Sequence, residues 1–85
     1  MALTIIDLQV RPAEQDADDA LTNEQKDELL RSTRSFIQAK WNEGWRGAGS
    51  MGDLSFGERK VRVVCMALQH MNHDVNEGYF IATYD

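Results

Sequence analysis

The chain has 85 residues, 42% of them apolar, a single cysteine and a net charge of −5. A chain this short forms one domain, which we assign to residues 1–85, and buries only about 60% of its unfolded surface. The composition excludes wholesale disorder and a membrane-spanning segment, because no apolar run approaches the roughly 20 residues that cross a bilayer. A lone cysteine also excludes an internal disulfide.

The first residues do not resemble a secretory signal. Residues 1–10 (MALTIIDLQV) lack a basic segment, a long apolar stretch and a small-residue cleavage site, so we expect Met1 to be the natural start. The single Cys65 is at home in a reducing compartment. We therefore expect the protein in the cytoplasm.

A strand followed by an irregular segment is predicted at the N-terminal end. Residues 3–10 (LTIIDLQV) favour the strand, because they are rich in β-forming residues and Pro12 then ends regular pairing. Residues 13–21 are polar, acidic and without periodicity. We predict a mobile acidic segment there.

A helix is predicted over residues 22–43. Thr22 and Gln25 have the spacing of a capping box, and Gly44 supplies a left-handed cap at the other end. The stripe expected to be buried consists of Leu29, Leu30, Thr33, Phe36, Ile37, Lys40 and Trp41. Trp41 is therefore assigned to the core.

Residues 44–54 contain four of the six glycines and predict an irregular loop. Gly47, Gly49 and Gly52 match the spacing GxGxxG, which in dinucleotide-binding proteins follows a strand and precedes a helix. Here a helix precedes the pattern, and the chain is too short for the full nucleotide-binding unit. We interpret the loop as a glycine hinge.

Residues 55–72 (SFGERKVRVVCMALQHMN) are predicted to form a second helix. Its apolar residues at helical spacing are Val61, Val64, Cys65, Leu68 and Met71. Ser55 and Glu58 have the form of a second capping box. A strand is the competing interpretation, because residues 61–67 also alternate. We favour the helix, since the apolar residues on the other side would require a strand buried on both faces.

The predicted fold class is α+β. Residues 79–84 (YFIATY) indicate a closing strand with alternating faces. The order is then strand (3–10), helix (22–43), glycine loop, helix (55–72) and strand (79–84). The two terminal strands are expected to be neighbours in a small sheet, with the two helices packed on it.

Charge is distributed unevenly along the chain. Between residues 14 and 28, seven acids stand against one lysine, a balance of −6. These acids are Glu14, Asp16, Asp18, Asp19, Glu24, Asp27 and Glu28. From residue 29 to residue 72, seven cations stand against three acids, a balance of +4. A separation of this kind favours electrostatic contact with a charged partner.

Our leading functional hypothesis is a non-enzymatic interaction protein, a small acidic regulator or inhibitor. Its seven acids are expected to orient it on a protein partner with a basic surface and to speed association. In a sharper variant the carboxylates mimic nucleic-acid phosphates and occupy the groove of a nucleic-acid-binding protein. Such mimicry requires two rows of charge on a rigid surface.

The alternative hypothesis is direct binding of nucleic acid or of a phosphorylated ligand. It uses a basic and glycine-rich set of residues, namely Arg46, Gly47, Gly49, Arg59, Lys60 and Arg62. The net charge of −5 argues against nucleic acid as the partner, because nucleic-acid binders concentrate more positive charge.

No catalytic residue, metal site or cofactor is predicted. Ser50 and Ser55 lack the sharp turn that exposes a nucleophilic serine. On the predicted second helix, Cys65 and His70 point in nearly opposite directions, so they cannot join His73 around one ion. Cys65 is interpreted as a small buried apolar residue.

A homodimer is predicted because a domain of this size has too small a core to bury all of its apolar side chains. Val63 and Met66 lie opposite the main stripe of the predicted second helix, and a small two-layer domain leaves such residues uncovered. Helix packing through Val63 and Met66, or strand pairing through Ile5 or Phe80, is expected to cover them. The alternative is that the first helix shields them.

Overall fold

The structure, a computed structural model, describes residues 3–14, 21–71 and 75–85. Within these residues the chain forms four strands and one helix. In order they are β1 (Thr4–Pro12), α1 (Asn23–Asn42), β2 (Gly49–Phe56), β3 (Arg59–Met71) and β4 (Val75–Tyr84). The strands form one mixed sheet in the order β1-β4-β3-β2, and α1 packs on one of its faces.

The two terminal strands are neighbours, as predicted. β1 runs parallel to β4, with Leu8 opposite Phe80, and the Ala13 amide extends the pairing by donating to Tyr84 O at 2.7 Å. β4 is antiparallel to β3, and β3 is antiparallel to β2. β4 is therefore a central strand, and the free edges of this sheet belong to β1 and β2.

Helix α1 begins and ends where its local sequence predicts. Thr22 Oγ1 accepts from the Gln25 amide at 3.1 Å, and Gln25 Oε1 accepts from the Thr22 amide at 2.9 Å, which completes the capping box. At the other end Gly44 has φ +105, and the amides of Gly44 and Trp45 donate to Trp41 O and Lys40 O. These bonds satisfy the last carbonyl groups of the helix.

The core lies between α1 and the face of the sheet that α1 covers. The buried residues of α1 are Leu29, Thr33, Ile37 and Trp41, all from the predicted stripe. Buried strand residues include Val61, Val63, Cys65, Phe80 and Ala82. Gln38 ties α1 to the start of β1, because its Nε2 donates to Leu3 O at 2.5 Å and its Oε1 accepts from the Leu3 amide at 3.4 Å.

The predicted second helix is wrong. Residues 55–72 fall mainly in a β-hairpin whose strands β2 and β3 are joined by Gly57 and Glu58, so Ser55 lies opposite Lys60 and caps no helix. Gly57 has φ +63, which suits the first position of a two-residue hairpin loop. The fold is one helix on a four-stranded mixed sheet, not two helices on a small sheet.

The predicted glycine loop is wrong in its second half. Residues Gly49–Phe56 form β2, and a bulge between Ser50 and Gly52 places Met51 in the core. Gly52 has φ +129 at this bulge, a conformation that glycine adopts without strain. The closing strand is also longer than predicted, since β4 begins at Val75.

A strand fits the apolar residues of β3 because, among the described residues, only one face of the sheet is covered. Val63 is 0% exposed beneath α1, whereas Met66 on the other side of β3 is 57% exposed. Val63 therefore reaches no surface of the single chain, and Phe80 lies on a central strand without a free edge. The helix-packing and Phe80 routes to a dimer lose their structural basis, while the dimer itself stays a prediction.

Candidate functional site

An acidic face occupies the first two turns of α1. Glu24, Asp27 and Glu28 are exposed, and their spacing of three and four residues makes them neighbours on the helix surface. Glu24 lies in the first turn, where the helix dipole favours a negative charge. Leu29, fully buried, anchors this part of the helix to the sheet. The acidic face, defined as Glu24, Asp27 and Glu28, is thus held by an ordered element.

A groove of about 910 Å³ lies between α1 and the turn that joins β2 to β3. Leu21 and Phe56 contribute apolar surface to its lining. Glu28 stands on the helix side, and Glu58 and Asp85 stand on the strand side. We name this feature the acidic groove. Its three carboxylates face one cation in the lining, Arg59.

The strand side of the acidic groove is fixed by contacts of Asp85. The Lys60 amide donates to Asp85 Oδ1 at 3.0 Å, and the Arg59 guanidinium donates to Asp85 O at 2.6 Å. The same guanidinium lies 5.7 Å from the centre of the Tyr84 ring. Arg59 is therefore already bound to the end of β4, and its contacts there partly offset its positive charge in the groove.

Among the described residues, the carboxylates of the acidic face and of Glu58 have no cationic partner. Within the described residues, no ion pair involves Glu24, Asp27, Glu28 or Glu58. Exposed Arg31, one turn beyond Asp27, marks the end of the acidic part of α1. Unpaired carboxylates on a rigid surface attract cationic groups of another molecule over roughly a Debye length.

Some of the acids named from the sequence lie in this region. Glu24, Asp27 and Glu28 lie together as expected, and Glu14 is exposed at the end of the first described segment, whereas Asp16, Asp18 and Asp19 fall outside the described residues. Sequence reasoning missed Glu58 and Asp85. The spacing of Ser55 and Glu58 predicts a helix cap, whereas the adjacent Gly57 between two alternating segments is the signal of a hairpin turn.

The residues of the alternative basic set do not form one surface. Arg46 caps α1, because its Nη1 donates to Trp41 O at 2.8 Å and to Trp45 O at 2.6 Å, and its guanidinium lies 3.3 Å from the centre of the Trp41 ring. Gly49 begins β2, and Ser55, opposite Lys60, lies about 20 Å further along that strand. Arg46 and Lys60 therefore lie near opposite ends of the hairpin.

The basic residues of β3 are themselves divided between the two faces. Arg59 contacts Tyr84 and the acidic groove, whereas Lys60 Nζ and Arg62 Nε lie 3.5 Å and 3.6 Å from the carboxylate of Asp53. The glycines offer no helix N-terminus for a phosphate either, because the residues after Gly47 enter a strand. The geometry gives this alternative no specific support.

Cys65 is a buried thiol in the core. It is 1% exposed, its Sγ donates to Ala67 O at 3.4 Å, and burial raises the pKa of the thiol. In residues 3–14, 21–71 and 75–85 no three His, Cys, Asp or Glu side chains come together as a metal site. The side chain of His70, and all of His73, lie outside the described part.

Comparison of the chain with protein-family models, with curated proteins and with solved structures finds no match. In the part of the chain that the structure describes, no helix has the length and apolar character needed to cross a membrane.

Proposed function

We propose that the protein is a non-enzymatic interaction protein, a small acidic regulator or inhibitor that docks on a basic surface of a larger protein. The observation that carries the proposal is the grouping of Glu28, Glu58 and Asp85 around one groove, with exposed Glu24 and Asp27 next to Glu28 on the surface of α1. Glu28, Glu58 and Asp85 are far apart in sequence, so the fold itself concentrates the negative charge. The reduced thiol of Cys65 suits a cytoplasmic location.

The shape of the acidic groove favours lysine or arginine side chains as its occupants. A cationic head can approach Glu28 from one wall and Glu58 from the other, while its aliphatic stem lies against Leu21 and Phe56. The acids of residues 14–19 precede this site in the chain and raise the total negative charge of the protein. Association is therefore expected to be fast at low salt and to slow as ionic strength rises.

The proposal is tested with a fluorescent octalysine peptide and the full chain. Glu28→Gln and Glu58→Gln, singly and together, are compared with Glu43→Gln, which removes one charge at the far end of α1. We expect the double variant to weaken binding by about tenfold and the control by less than about twofold. Equal effects of Glu28→Gln, Glu58→Gln and Glu43→Gln contradict a role for the groove.

The acidic segment is tested by replacing Asp16, Asp18 and Asp19 with asparagine. If these acids steer the partner, association of the same peptide slows more than its dissociation speeds up, and the effect shrinks in high salt. Each of the three substitutions is also made singly and compared with Glu43→Gln, which likewise removes one charge. Association rates that change neither with salt concentration nor with the substitutions contradict the electrostatic mechanism.

A sharper form of the proposal is mimicry of nucleic-acid phosphates. Carboxylates on both walls of the groove, Glu28 on one side and Glu58 with Asp85 on the other, support it because mimicry needs separated rows of charge on ordered elements. The test is competition: a basic nucleic-acid-binding protein that retains this chain is challenged with duplex DNA. Displacement supports mimicry, and a ternary complex contradicts it.

A further inference from the structure

The sheet has a second face that no part of the described chain covers. Alternation and pairing place four successive rows of side chains on this open face. Across β1, β4 and β3 the rows are Thr4, Glu77 and Gln69; Asp7, Tyr79 and Ala67; Gln9, Ile81 and Val64; and Arg11, Thr83 and Arg62. On β2, Asp53 continues the last row beside Arg62. All of these residues are exposed or half-buried.

The middle of the open face is apolar. Two bulges, one at Ile6 in β1 and one at Met66 in β3, flank Tyr79 from both sides. Ile6, Met66 and Tyr79 are 44%, 57% and 46% exposed, the large apolar residues with the greatest exposure in the described chain. With half-buried Val64 and Ile81 they form one patch, and contiguous apolar patches on a small domain mark contact surfaces.

The two ends of the open face carry opposite charge. Arg11 and Arg62 flank Thr83 at one end, and Glu77 and Asp7 lie at the other. Gln9 links the ends along β1, because its Nε2 donates to Asp7 Oδ2 at 3.1 Å and its Oε1 accepts from the Arg11 guanidinium. Within the described residues Arg11, Asp7 and Glu77 make no ion pair.

We infer that the open face pairs with a second copy of this chain, in a dimer whose two-fold axis lies between the sheets and perpendicular to the strands. Such an axis reverses the strand direction, so the basic end of each face meets the acidic end of the other. β4 then lies over β4, and Glu77 of the partner subunit approaches Thr83 between Arg11 and Arg62. Ile81 meets Tyr79 of the partner subunit at the centre.

Self-complementarity selects the second copy over an unrelated partner. An axis parallel to the strands brings like charges together at both ends, so only the perpendicular axis joins the apolar patches and the opposite charges at once. Four strands spaced about 4.8 Å apart make each face roughly 19 Å wide, and six residues with a rise of about 3.3 Å each make it roughly 20 Å long. Burial on the order of 1,000 Å² in total is near the lower limit for a specific interface, so we expect a weak dimer.

Sedimentation equilibrium of the full chain from low to several hundred micromolar tests the dimer. The mass is expected to rise from 9.7 kDa toward twice that value. Arg11→Glu with Arg62→Glu is expected to raise the dissociation constant by at least about tenfold, and Arg31→Glu with Arg34→Glu, the same charge change on exposed α1, by less than about twofold. A constant monomer mass, or equal effects of the two pairs, overturns the inference.

A mixing experiment tests the orientation of the two copies. Asp7→Lys with Glu77→Lys makes both ends of the face basic, and Arg11→Glu with Arg62→Glu makes both ends acidic. Each variant alone is expected to be monomeric, with an unchanged circular dichroism spectrum, while an equimolar mixture forms the heterodimer. If the mixture stays monomeric while the wild type dimerises, the proposed face is wrong. Should Arg62→Glu unfold the sheet, Arg11→Glu alone replaces it.

Discussion

The two faces of the sheet have similar apolar side chains but different surroundings. Phe80 and Val63 point toward α1 and are at most 1% exposed, whereas their sequence neighbours Tyr79 and Val64 lie on the open face. The covered face holds the domain together, and no described residue covers the open face. An apolar residue in this chain therefore contributes to folding or to association according to what covers it.

The largest expected contrast between the faces is between neighbouring aromatic residues. Phe80→Ala removes a fully buried ring and should lower the free energy of unfolding by about 3–5 kcal/mol, much of the stability of a small domain. Tyr79→Ala on the open face should lower it by less than about 1 kcal/mol. Urea denaturation at low protein concentration measures the free energy of unfolding of both variants. Similar losses for Phe80→Ala and Tyr79→Ala would contradict the assignment of the core to one face of the sheet.

A smaller effect is expected from closing the space beside Phe80. A Cβ at Gly78 would lie 2.5 Å from Cε1 and Cζ of the Phe80 ring, so Gly78→Ala should cost about 1–3 kcal/mol as the ring moves. Gly57→Ala meets no atom within 4 Å, and its cost of about 1 kcal/mol should come from φ +63 alone. Thermal denaturation measures the stability lost in each of the two variants. A larger loss for Gly57→Ala would contradict this steric account.

Removing a buried hydroxyl should stabilise the covered side. Thr33 is 0% exposed, and in the part of the chain that the structure describes its Oγ1 has no hydrogen-bond partner. Thr33→Val keeps the shape and should raise the free energy of unfolding by about 1 kcal/mol. Thr83→Val on the open face, where water reaches the hydroxyl, is the control and should change it by less than about 0.5 kcal/mol. Destabilisation by Thr33→Val would indicate a partner for this hydroxyl.

The smallest effect concerns the pH dependence that Cys65 adds. Burial raises the pKa of its thiol above the ordinary value of 9.0, so the unfolded chain releases this proton at a lower pH than the folded protein. The contribution is therefore constant below the ordinary pKa and is lost as pH rises from that value through the raised pKa of the folded protein. The stability of the wild type should fall relative to Cys65→Ala between neutral and alkaline pH. A stability difference between the two proteins that does not change with pH would show that the pKa of the thiol is not raised.

The sequence by itself determined α1 and the presence of the first and last strands. The capping box of Thr22 with Gln25, the cap at Gly44 and the buried stripe of α1 depend on residues within a few positions of one another, so the helix follows from local chemistry. The exposure of Glu24, Asp27 and Glu28 follows from the same helical spacing. These parts of the fold and of the site were predictable because their causes are local.

Only the tertiary structure decided residues 44–72 and the other wall of the acidic groove. The apolar residues of 61–68 match both helical and strand periodicity, and the choice depends on α1 covering one face while the other stays open. Glu58 and Asp85 join Glu28 because the hairpin turn and the end of β4 meet beside α1. Such proximity is set by strand pairing between distant residues, which no local pattern encodes.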